Sequence, residues 1–208
     1  MARAMKPAAI TLSLSAAAVL GYLAYRLTTD APEESVPALA ATESSGEALL
    51  DQLPEFTLQN LAGERQSIRD WPGQPLIVNF WATWCGPCLR EIPMLNALQE
   101  ANPWLTILGI AVDDENKVRQ FAADMDFGYP VLMGETGPSE AVNAAGSFGV
   151  DFYALPFTIF TDADGRMLGV HTGELHQEHL DTLLGVLRDL EAGRIDVAAA
   201  REQIAGRR

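Results

Sequence analysis

The chain has 208 residues, a net charge of −14 and two cysteines. This length provides for one domain that buries its own hydrophobic core, so folding does not depend on a stabilising disulfide. The acidic charge excludes a typical nucleic-acid-binding protein, because such binding needs a basic surface. Two cysteines are too few for a closed structural zinc site, although His171, His176 and His179 could in principle complete one. We expect no metal and no cofactor.

The first part of the chain is apolar enough to cross a membrane. Residues 8–25 carry no charge, and as a helix they would span about 27 Å, close to the hydrocarbon thickness of a bilayer. Arg3 and Lys6 precede this run, and positive charge favours the cytoplasmic side. We therefore expect residues 1–27 to be a single-pass anchor in a bacterial inner membrane, with the following chain in the periplasm. A cleaved signal peptide is the alternative, and it predicts the same export.

The next segment has the composition of a flexible tether. Residues 28–50 contain Pro, Ser and many acidic side chains, and residues 28–55 include seven acids and no Lys or Arg. Such a segment repels itself and lacks the apolar side chains needed for a core. We expect a linker over residues 28–50, one domain over residues 51–192, and a C-terminal tail over residues 193–208.

The domain is predicted to begin with β-structure. Apolar and polar residues alternate over residues 56–59 and 65–68, and the turn sequence Asn60-Leu61-Ala62-Gly63 between them indicates a hairpin. Residues 76–81, LIVNFW, form a near-continuous apolar run. Such a run is typical of a strand that is buried on both faces of a sheet.

A helix is predicted directly after this strand. Between Gly86 and Ala101, leucine and isoleucine recur every three positions and give one apolar face. Pro93 lies inside this pattern and is predicted to kink the helix. The patterns that follow predict a strand over 104–112, a helix over 115–125, a strand over 129–133 and a helix over 139–145, with Ser139 as its N-cap.

The last predicted elements are a hairpin and a helix. Residues 157–160 and 166–171 are expected to pair as strands around the turn Asp162-Ala163-Asp164-Gly165. Residues 177–190 place leucines on one helical face. This order of elements predicts an α/β fold in which helices flank a mixed central sheet, with an N-terminal β-hairpin and a central insertion.

Both cysteines are expected at the start of the helix that follows the buried strand. Cys85 falls at the helix N-terminus, where unpaired N–H groups and the helix dipole stabilise a thiolate. Cys88 follows one turn later, near enough to close a disulfide, and Pro87 suits the first turn because it has no N–H to leave unpaired. This spacing permits thiol–disulfide exchange. Cys85 would attack a partner's disulfide, and Cys88 would then attack Cys85 and release the reduced partner.

The sequence around the pair resembles a known family. Residues 79–88, NFWATWCGPC, followed by Glu91-Ile92-Pro93, are similar to the membrane-anchored TlpA/ResA branch of bacterial thiol-disulfide reductases in the thioredoxin superfamily. The resemblance covers roughly residues 51–190 and implies a thioredoxin-like fold. It also implies a periplasmic reductant of exported proteins, such as apocytochrome c or the copper-site cysteines of an oxidase. A membrane thiol transporter would be the electron donor.

The resemblance assigns a proton carrier to the site. Thioredoxins proper have a buried Asp six residues before the first cysteine, and this chain has Asn79 there. Asn cannot titrate, so the proton must be carried by another group. In the TlpA/ResA branch an acid at the position of Glu91 lies beneath the cysteines and assists proton transfer. Glu91 is therefore expected to accept the proton of Cys88.

The resemblance also indicates where a partner chain binds. Leu155-Pro156 matches the cis-proline that the family places opposite the cysteines. The Leu155 backbone is expected to pair with a bound partner in the manner of a β-strand. Further partner contacts are expected at the residues around the first cysteine, namely Trp84, Gly86 and Pro87.

Two alternative functions stay open at this point. A thiol oxidant or disulfide isomerase of the same fold would use the same cysteines, and a copper carrier would add a histidine. Residues 153–158, YALPFT, replace the Gly-x-Pro-Glu segment of the cytochrome c maturation subgroup. Copper chaperones of this fold have three residues between the cysteines rather than two, and the motif of a peroxidatic cysteine is absent. We expect the soluble domain to be monomeric.

Overall fold

The computed structural model of the protein describes residues 50–150 and 154–206. The predicted anchor over residues 1–27, and the predicted linker apart from Leu50, lie outside the described residues. Within the two described ranges, no helix has both the length and the apolar character that crossing a bilayer requires.

Seven strands and five helices form the described part of the domain. In chain order they are β1 (Thr57–Asn60), β2 (Arg65–Ser67), β3 (Leu76–Trp81), α1 (Gly86–Ala101), β4 (Thr106–Ala111), α2 (Glu115–Asp124), β5 (Val131–Met133), α3 (Pro138–Gly146), β6 (Phe157–Thr161), β7 (Met167–Thr172), α4 (Gln177–Glu191) and α5 (Val197–Ala205). The predicted α/β class, with an N-terminal hairpin and further elements inserted between β4 and β6, is confirmed.

The sheet is mixed, as predicted, and its strand order is β2-β1-β5-β4-β3-β6-β7. Strand β3 runs parallel to β4 and antiparallel to β6, with Phe80 opposite Phe157. Because β6 is antiparallel to β3, the first residue of β6 lies beside the last residues of β3, at one end of the strands. The chain that follows β3 and the chain that precedes β6 therefore meet at this end of the sheet.

Strand β3 is buried along its whole length, as its apolar run predicts. Successive side chains point to opposite faces of a sheet. Ile77 and Trp81 pack in the core formed with α1, α2 and α4, whereas Val78 and Phe80 pack in the core formed with α3. The same alternation places the polar residue Asn79 on the face that α1 covers.

Observed boundaries differ from the predicted ones by a few residues. The helix expected to have Ser139 as its N-cap begins at Pro138, and its N-cap is Gly137, which makes no side-chain cap. Proline suits this place because a first-turn N–H would have no partner within the helix. Helix α1 has Pro93 in its interior, and the kink predicted there stays a prediction.

The C-terminal segment, predicted as a separate tail, packs on the domain. Asp196 caps helix α5, and Ala200 is fully buried. The Arg201 Nε donates a hydrogen bond to the carbonyl oxygen of Met167 in β7, at 2.8 Å. The described part of this segment is therefore an element of the domain. Its weak amphipathic pattern does not predict this contact, which depends on the strand that it meets.

Candidate active site

The cysteines lie where β3 passes into α1. Cys85 is the N-cap of α1, and it forms a disulfide with Cys88, so the structure is that of the oxidised protein. The Cys85 Sγ accepts a hydrogen bond from the N–H of Cys88, at 3.3 Å. A sulfur in this position faces the unpaired donors and the positive end of the helix dipole. The helix start therefore stabilises negative charge on the Cys85 Sγ when the disulfide is reduced.

The two cysteines differ in exposure. Cys85 retains 4% of its surface accessible to solvent, whereas Cys88 retains none. An incoming disulfide can reach a sulfur at the surface more readily than one enclosed by the core. This difference favours Cys85 as the sulfur that meets a partner, which is the order of attack that the sequence predicts.

The connection between β3 and Cys85 is fixed by a buried carboxylate. Asp113, two residues after the end of β4, is 5% exposed. Its Oδ2 accepts hydrogen bonds from the backbone N–H of Thr83, at 3.2 Å, and from the Thr83 hydroxyl. Its Oδ1 accepts the N–H of Asp114, at 2.8 Å. The carboxylate thus ties the chain just before Trp84 and Cys85 to the neighbouring strand, a role that the sequence pattern does not assign to it.

Glu91 is part of the helix that bears the cysteines, and its side chain is enclosed by the domain. It is 1% exposed and follows Cys88 by three residues on α1, so the two side chains share a helix face. Its Oε1 accepts a hydrogen bond from the Asn79 side-chain amide, at 2.8 Å. Its Oε2 accepts one from the backbone N–H of Leu175, also at 2.8 Å. The structure thus brings together Glu91 and Asn79, which sequence reasoning relates only through the family pattern.

Burial changes the proton affinity of this carboxyl group. It raises the pKa of Glu91 from its ordinary value of 4.5 to about 7, because the carboxylate loses its hydration inside the protein. The hydrogen bonds from Leu175 and Asn79 stabilise the carboxylate and lower the pKa, while the nearby charge of Glu174 raises it. At neutral pH the group is therefore divided between its two protonation states, which suits a group that accepts and returns a proton.

The Thr158 hydroxyl and the Leu175 N–H belong to the surroundings of Glu91, and the sequence predicts neither. The Asn79 amide also donates to the hydroxyl of Thr158 in β6, at 3.0 Å, which fixes the orientation of the amide. Leu175 contributes only its backbone N–H, a group that every residue except proline possesses. No residue type could have identified this donor, since its place depends on the path of the chain.

Pro156 lies at the same end of the sheet as the cysteines, where β3 ends and β6 begins. The Leu155–Pro156 peptide bond is cis, as the resemblance implies, and Pro156 is buried immediately before β6. Its carbonyl oxygen accepts the N–H of Gly173, at 2.8 Å. Leu155 is half-buried and packs against both cores.

The residues expected to contact a partner surround the more exposed cysteine. Trp84 is 68% exposed, and together with Leu50 it makes up the exposed large hydrophobic residues of the described chain. Gly86 is exposed and Pro87 is half-buried. An exposed tryptophan beside a reactive sulfur offers an apolar contact to an incoming chain.

The three histidines lie near one another. The rings of His171 and His179 have centroids 4.3 Å apart, and those of His176 and His179 are 5.6 Å apart. In the described ranges, no group of three or more His, Cys, Asp or Glu side chains is arranged to hold a metal ion. The Nδ1 of His179 already accepts the backbone N–H of His176, at 3.0 Å, so the cap of helix α4 uses one of the imidazoles.

Comparison with known proteins identifies the family. The sequence pattern of the AhpC/TSA family matches residues 49–169, more than half of the chain. The chain belongs to the AhpC/TSA family. A relative in this family, thioredoxin-like protein YneN of Bacillus subtilis, is 33% identical over 138 residues, which are 64% of this chain and 76% of YneN. Thiol-disulfide oxidoreductase ResA of Geobacillus thermodenitrificans is 30% identical over 149 residues, 68% of this chain and 82% of ResA.

Solved structures show the same fold for this AhpC/TSA member. A protein from Chlorobium tepidum, described as a DsbE-type thiol:disulfide interchange protein, superposes with a TM-score of 0.53 at 23% identity, over 73% of this chain and 96% of its own. A secreted thiol-disulfide isomerase of Corynebacterium glutamicum gives a TM-score of 0.53 at 27% identity, over 62% of this chain and 80% of its own. The predicted thioredoxin-like fold and the resemblance to ResA are confirmed. The protein is a thiol-disulfide oxidoreductase of the ResA type, with Cys85 and Cys88 as its cysteine pair.

Proposed function

We propose that the protein reduces disulfides of exported proteins through a mixed disulfide on Cys85, with Glu91 as the acceptor of the Cys88 proton. The observation on which this depends is the buried Glu91 carboxyl, on the same helix face as Cys88 and with a pKa of about 7. A group of this proton affinity can deprotonate a thiol that is itself shielded from solvent.

The exchange takes place in two steps. In the first, the Cys85 thiolate attacks one sulfur of the partner's disulfide, a Cys85–partner disulfide forms, and the partner's other sulfur leaves as a thiolate. In the second, Cys88 gives its proton to Glu91 and the Cys88 thiolate attacks the Cys85 Sγ. The Cys85–Cys88 disulfide forms, and the second sulfur of the partner leaves and takes up the proton that Glu91 holds. The partner's first sulfur takes up a proton from solvent, which balances the one that Cys85 lost on becoming a thiolate. The partner gains two electrons and two protons, and the disulfide seen in the structure is the oxidised product.

The direction and the place of this reaction are part of the proposal. The uncharged run over residues 8–25 favours a single-pass anchor in the inner membrane, with the domain in the periplasm. The periplasm is oxidising, so Cys85 and Cys88 need a source of electrons to return to their reduced state. A membrane thiol transporter is the proposed electron donor. Apocytochrome c and the copper-site cysteines of an oxidase are the proposed acceptors, on the basis of the TlpA/ResA resemblance.

An oxidant or isomerase function is the second candidate. It is favoured by the 27% identity to the secreted thiol-disulfide isomerase of Corynebacterium glutamicum. The reduction potential separates the two functions. A value around −120 mV, at the oxidising end of the thioredoxin-fold range, would support the oxidant and overturn the reductase proposal.

A trapping experiment tests the reductase proposal. In the variant Cys88→Ala the second step cannot occur, so partners should stay linked to Cys85 as adducts that a thiol reductant releases. The control is Cys85→Ala, because the remaining Cys88 is fully buried and should trap nothing. Identification of exported proteins with cysteine pairs supports the proposal. A folded Cys88→Ala variant that forms no adducts, or adducts with cytoplasmic proteins alone, would contradict it.

A further inference from the structure

A short loop connects the two sides of the site. Residues 173–175 lie between β7 and α4, and we call them the 173–175 loop. Gly173 adopts a φ of +103°, a conformation that favours glycine, and its N–H donates to the Pro156 carbonyl oxygen at 2.8 Å. Two residues later the N–H of Leu175 donates to the Oε2 of Glu91, at 2.8 Å. The loop therefore contacts both the helix that bears the cysteines and the proline opposite them.

The middle residue of this loop is paired with an arginine on the cysteine helix. The Arg90 guanidinium contacts both carboxylate oxygens of Glu174, with the Nε 3.0 Å from Oε1 and the Nη2 bonded to Oε2. This two-point geometry fixes orientation as well as distance. Arg90 is adjacent to Glu91 in the chain, and Glu174 is adjacent to Leu175. The ion pair therefore lies beside the Leu175–Glu91 hydrogen bond and joins the same two segments.

The ion pair has little value as a general stabiliser. The side chains of Arg90 and Glu174 are 62% and 22% exposed, and pairs that face solvent contribute little to folding. The position of the Arg90–Glu174 pair matters more than its contribution to stability. Leu175 is 2% exposed and anchors the end of the loop, and the ion pair lies one residue before it. Glu174 lies between the two residues whose N–H groups are held, and its side chain joins the loop to α1.

We propose that Arg90 and Glu174 are positioning residues of the active site: their ion pair keeps the Leu175 N–H on the Glu91 carboxylate and thereby sets how readily Glu91 takes up a proton. The functional meaning of the proposal rests on the role proposed above for Glu91 as the acceptor of the Cys88 proton. The pair acts through Glu91 and not on the reacting sulfurs.

The charged and titratable groups around Glu91 determine the sign of the effect. Glu174 faces it from the loop and raises its pKa, and Tyr129 faces it from the segment before β5. The His171 ring contacts the Glu174 carbonyl oxygen, at 3.3 Å. The pKa of the Glu174 carboxyl is lowered by the hydrogen bond from Arg90 and, less strongly, by the nearby His176. Removal of Arg90 would leave the charge of Glu174 uncompensated and loosen the Leu175 donor. Both changes disfavour the Glu91 carboxylate, so its titration should move to higher pH.

The test measures Glu91 directly in the oxidised full-length chain. With the disulfide formed, the cysteines do not titrate, and the Glu91 carboxyl can be followed by carbon-13 NMR and assigned with Glu91→Gln. In Arg90→Ala we expect the midpoint of the Glu91 titration to rise by about half a pH unit or more. We also expect faster amide hydrogen exchange at Leu175 and Gly173, with little change in melting temperature.

Two further variants make the result specific. Arg65→Ala is the matched control, because Arg65 also forms an exposed ion pair, with Glu135 at 3.2 Å, and its loss should leave Glu91 unchanged. The reversed pair Arg90→Glu with Glu174→Arg should return the titration toward that of the unmodified protein. An unchanged Glu91 titration and unchanged exchange at Leu175 in Arg90→Ala would overturn the positioning role. That outcome leaves the proposed role of Glu91 as proton acceptor intact. Equal rates of thiol–disulfide exchange in the unmodified protein and in Glu91→Gln would instead overturn that role, on which this proposal rests.

Discussion

At the scale of single residues, the proposed chemistry depends on where one carboxyl group is placed. Glu91 is enclosed by the protein and receives two neutral donors, Asn79 and Leu175. Burial and the hydrogen bonds act in opposite directions on its pKa, and burial has the larger effect. The result is a base that is suited to a thiol at neutral pH, obtained from a residue type that is fully ionised there when exposed.

Substitution of this carboxyl should slow the second step of the exchange. Glutamine in Glu91→Gln keeps a carbonyl acceptor but cannot take the Cys88 proton. We expect release of the partner from Cys85 to slow by about 100-fold, with a smaller effect on formation of the mixed disulfide. Rapid-quench measurement with a model disulfide separates the two rates. In the unmodified protein, release should accelerate as pH rises through about 7, and this dependence should disappear in the variant.

The exposed helix residue Glu100 provides the control for that measurement. Glu100→Gln changes the same chemical group near the end of α1, where the side chain faces solvent. Its release rate should equal that of the unmodified protein. Equal rates for Glu91→Gln and Glu100→Gln would show that Glu91 takes no part in proton transfer.

At the scale of elements, the close approach of helix α5 to strand β7 depends on a glycine. A Cβ placed on Gly169 would lie 2.5 Å from the Cγ2 of Ile204 in α5. Such a distance is too short for two carbon atoms, so the Ile204 side chain, the helix or the strand would have to shift. The glycine explains how α5 packs close to β7.

The variant Gly169→Ala should therefore lower the free energy of unfolding, by about 1–3 kcal/mol. Gly185→Ala is the matched control, because a Cβ there meets nothing within 4 Å, and Gly185 lies inside helix α4. Alanine in an open helical position should raise the free energy of unfolding by about 0.5–1 kcal/mol. Urea denaturation of the two variants checks the opposite signs. Equal stabilities would mean that α5 does not pack on β7 in solution.

At the scale of the whole molecule, the buried carboxyl makes folding depend on pH. The pKa of Glu91 is about 7 in the folded protein, above the value expected in the unfolded chain, so the folded protein binds this proton more tightly. The stabilisation is fully present below the unfolded pKa and is lost as pH rises through about 7. Burial lowers the pKa of His171, which gives the opposite dependence.

Comparison with Glu91→Gln isolates this contribution, because His171 is the same in both proteins. The unmodified protein should lose on the order of 3 kcal/mol relative to the variant between pH 4.5 and pH 8. Urea unfolding of the two oxidised proteins at both pH values measures the difference. A difference that does not change with pH would show that Glu91 has the same proton affinity in the folded and unfolded chains.

Much of the fold could be predicted because its signals are local. The apolar run of β3, the spacing of leucines in α1 and the turn at Gly165 each depend on neighbours a few residues apart. The cysteine pair could be placed for the same reason, since Cys85 and Cys88 are one helical turn apart. The family resemblance added Glu91 and Pro156. The structure buries Glu91 one turn after Cys88 on α1 and places Pro156 at the end of the sheet where the cysteines lie.

The surroundings of that site could be decided only by the tertiary structure. Arg90 and Glu174 are 84 residues apart in the chain, and so are Glu91 and Leu175. Contacts at such a separation depend on how the chain returns after β7, and one of them uses a backbone N–H that has no signature in the sequence. The sequence by itself determined the position of the cysteine pair and the class of fold. The tertiary structure decided the proton affinity of Glu91 and which loop contacts it, because burial and long-range hydrogen bonds exist only in the folded chain.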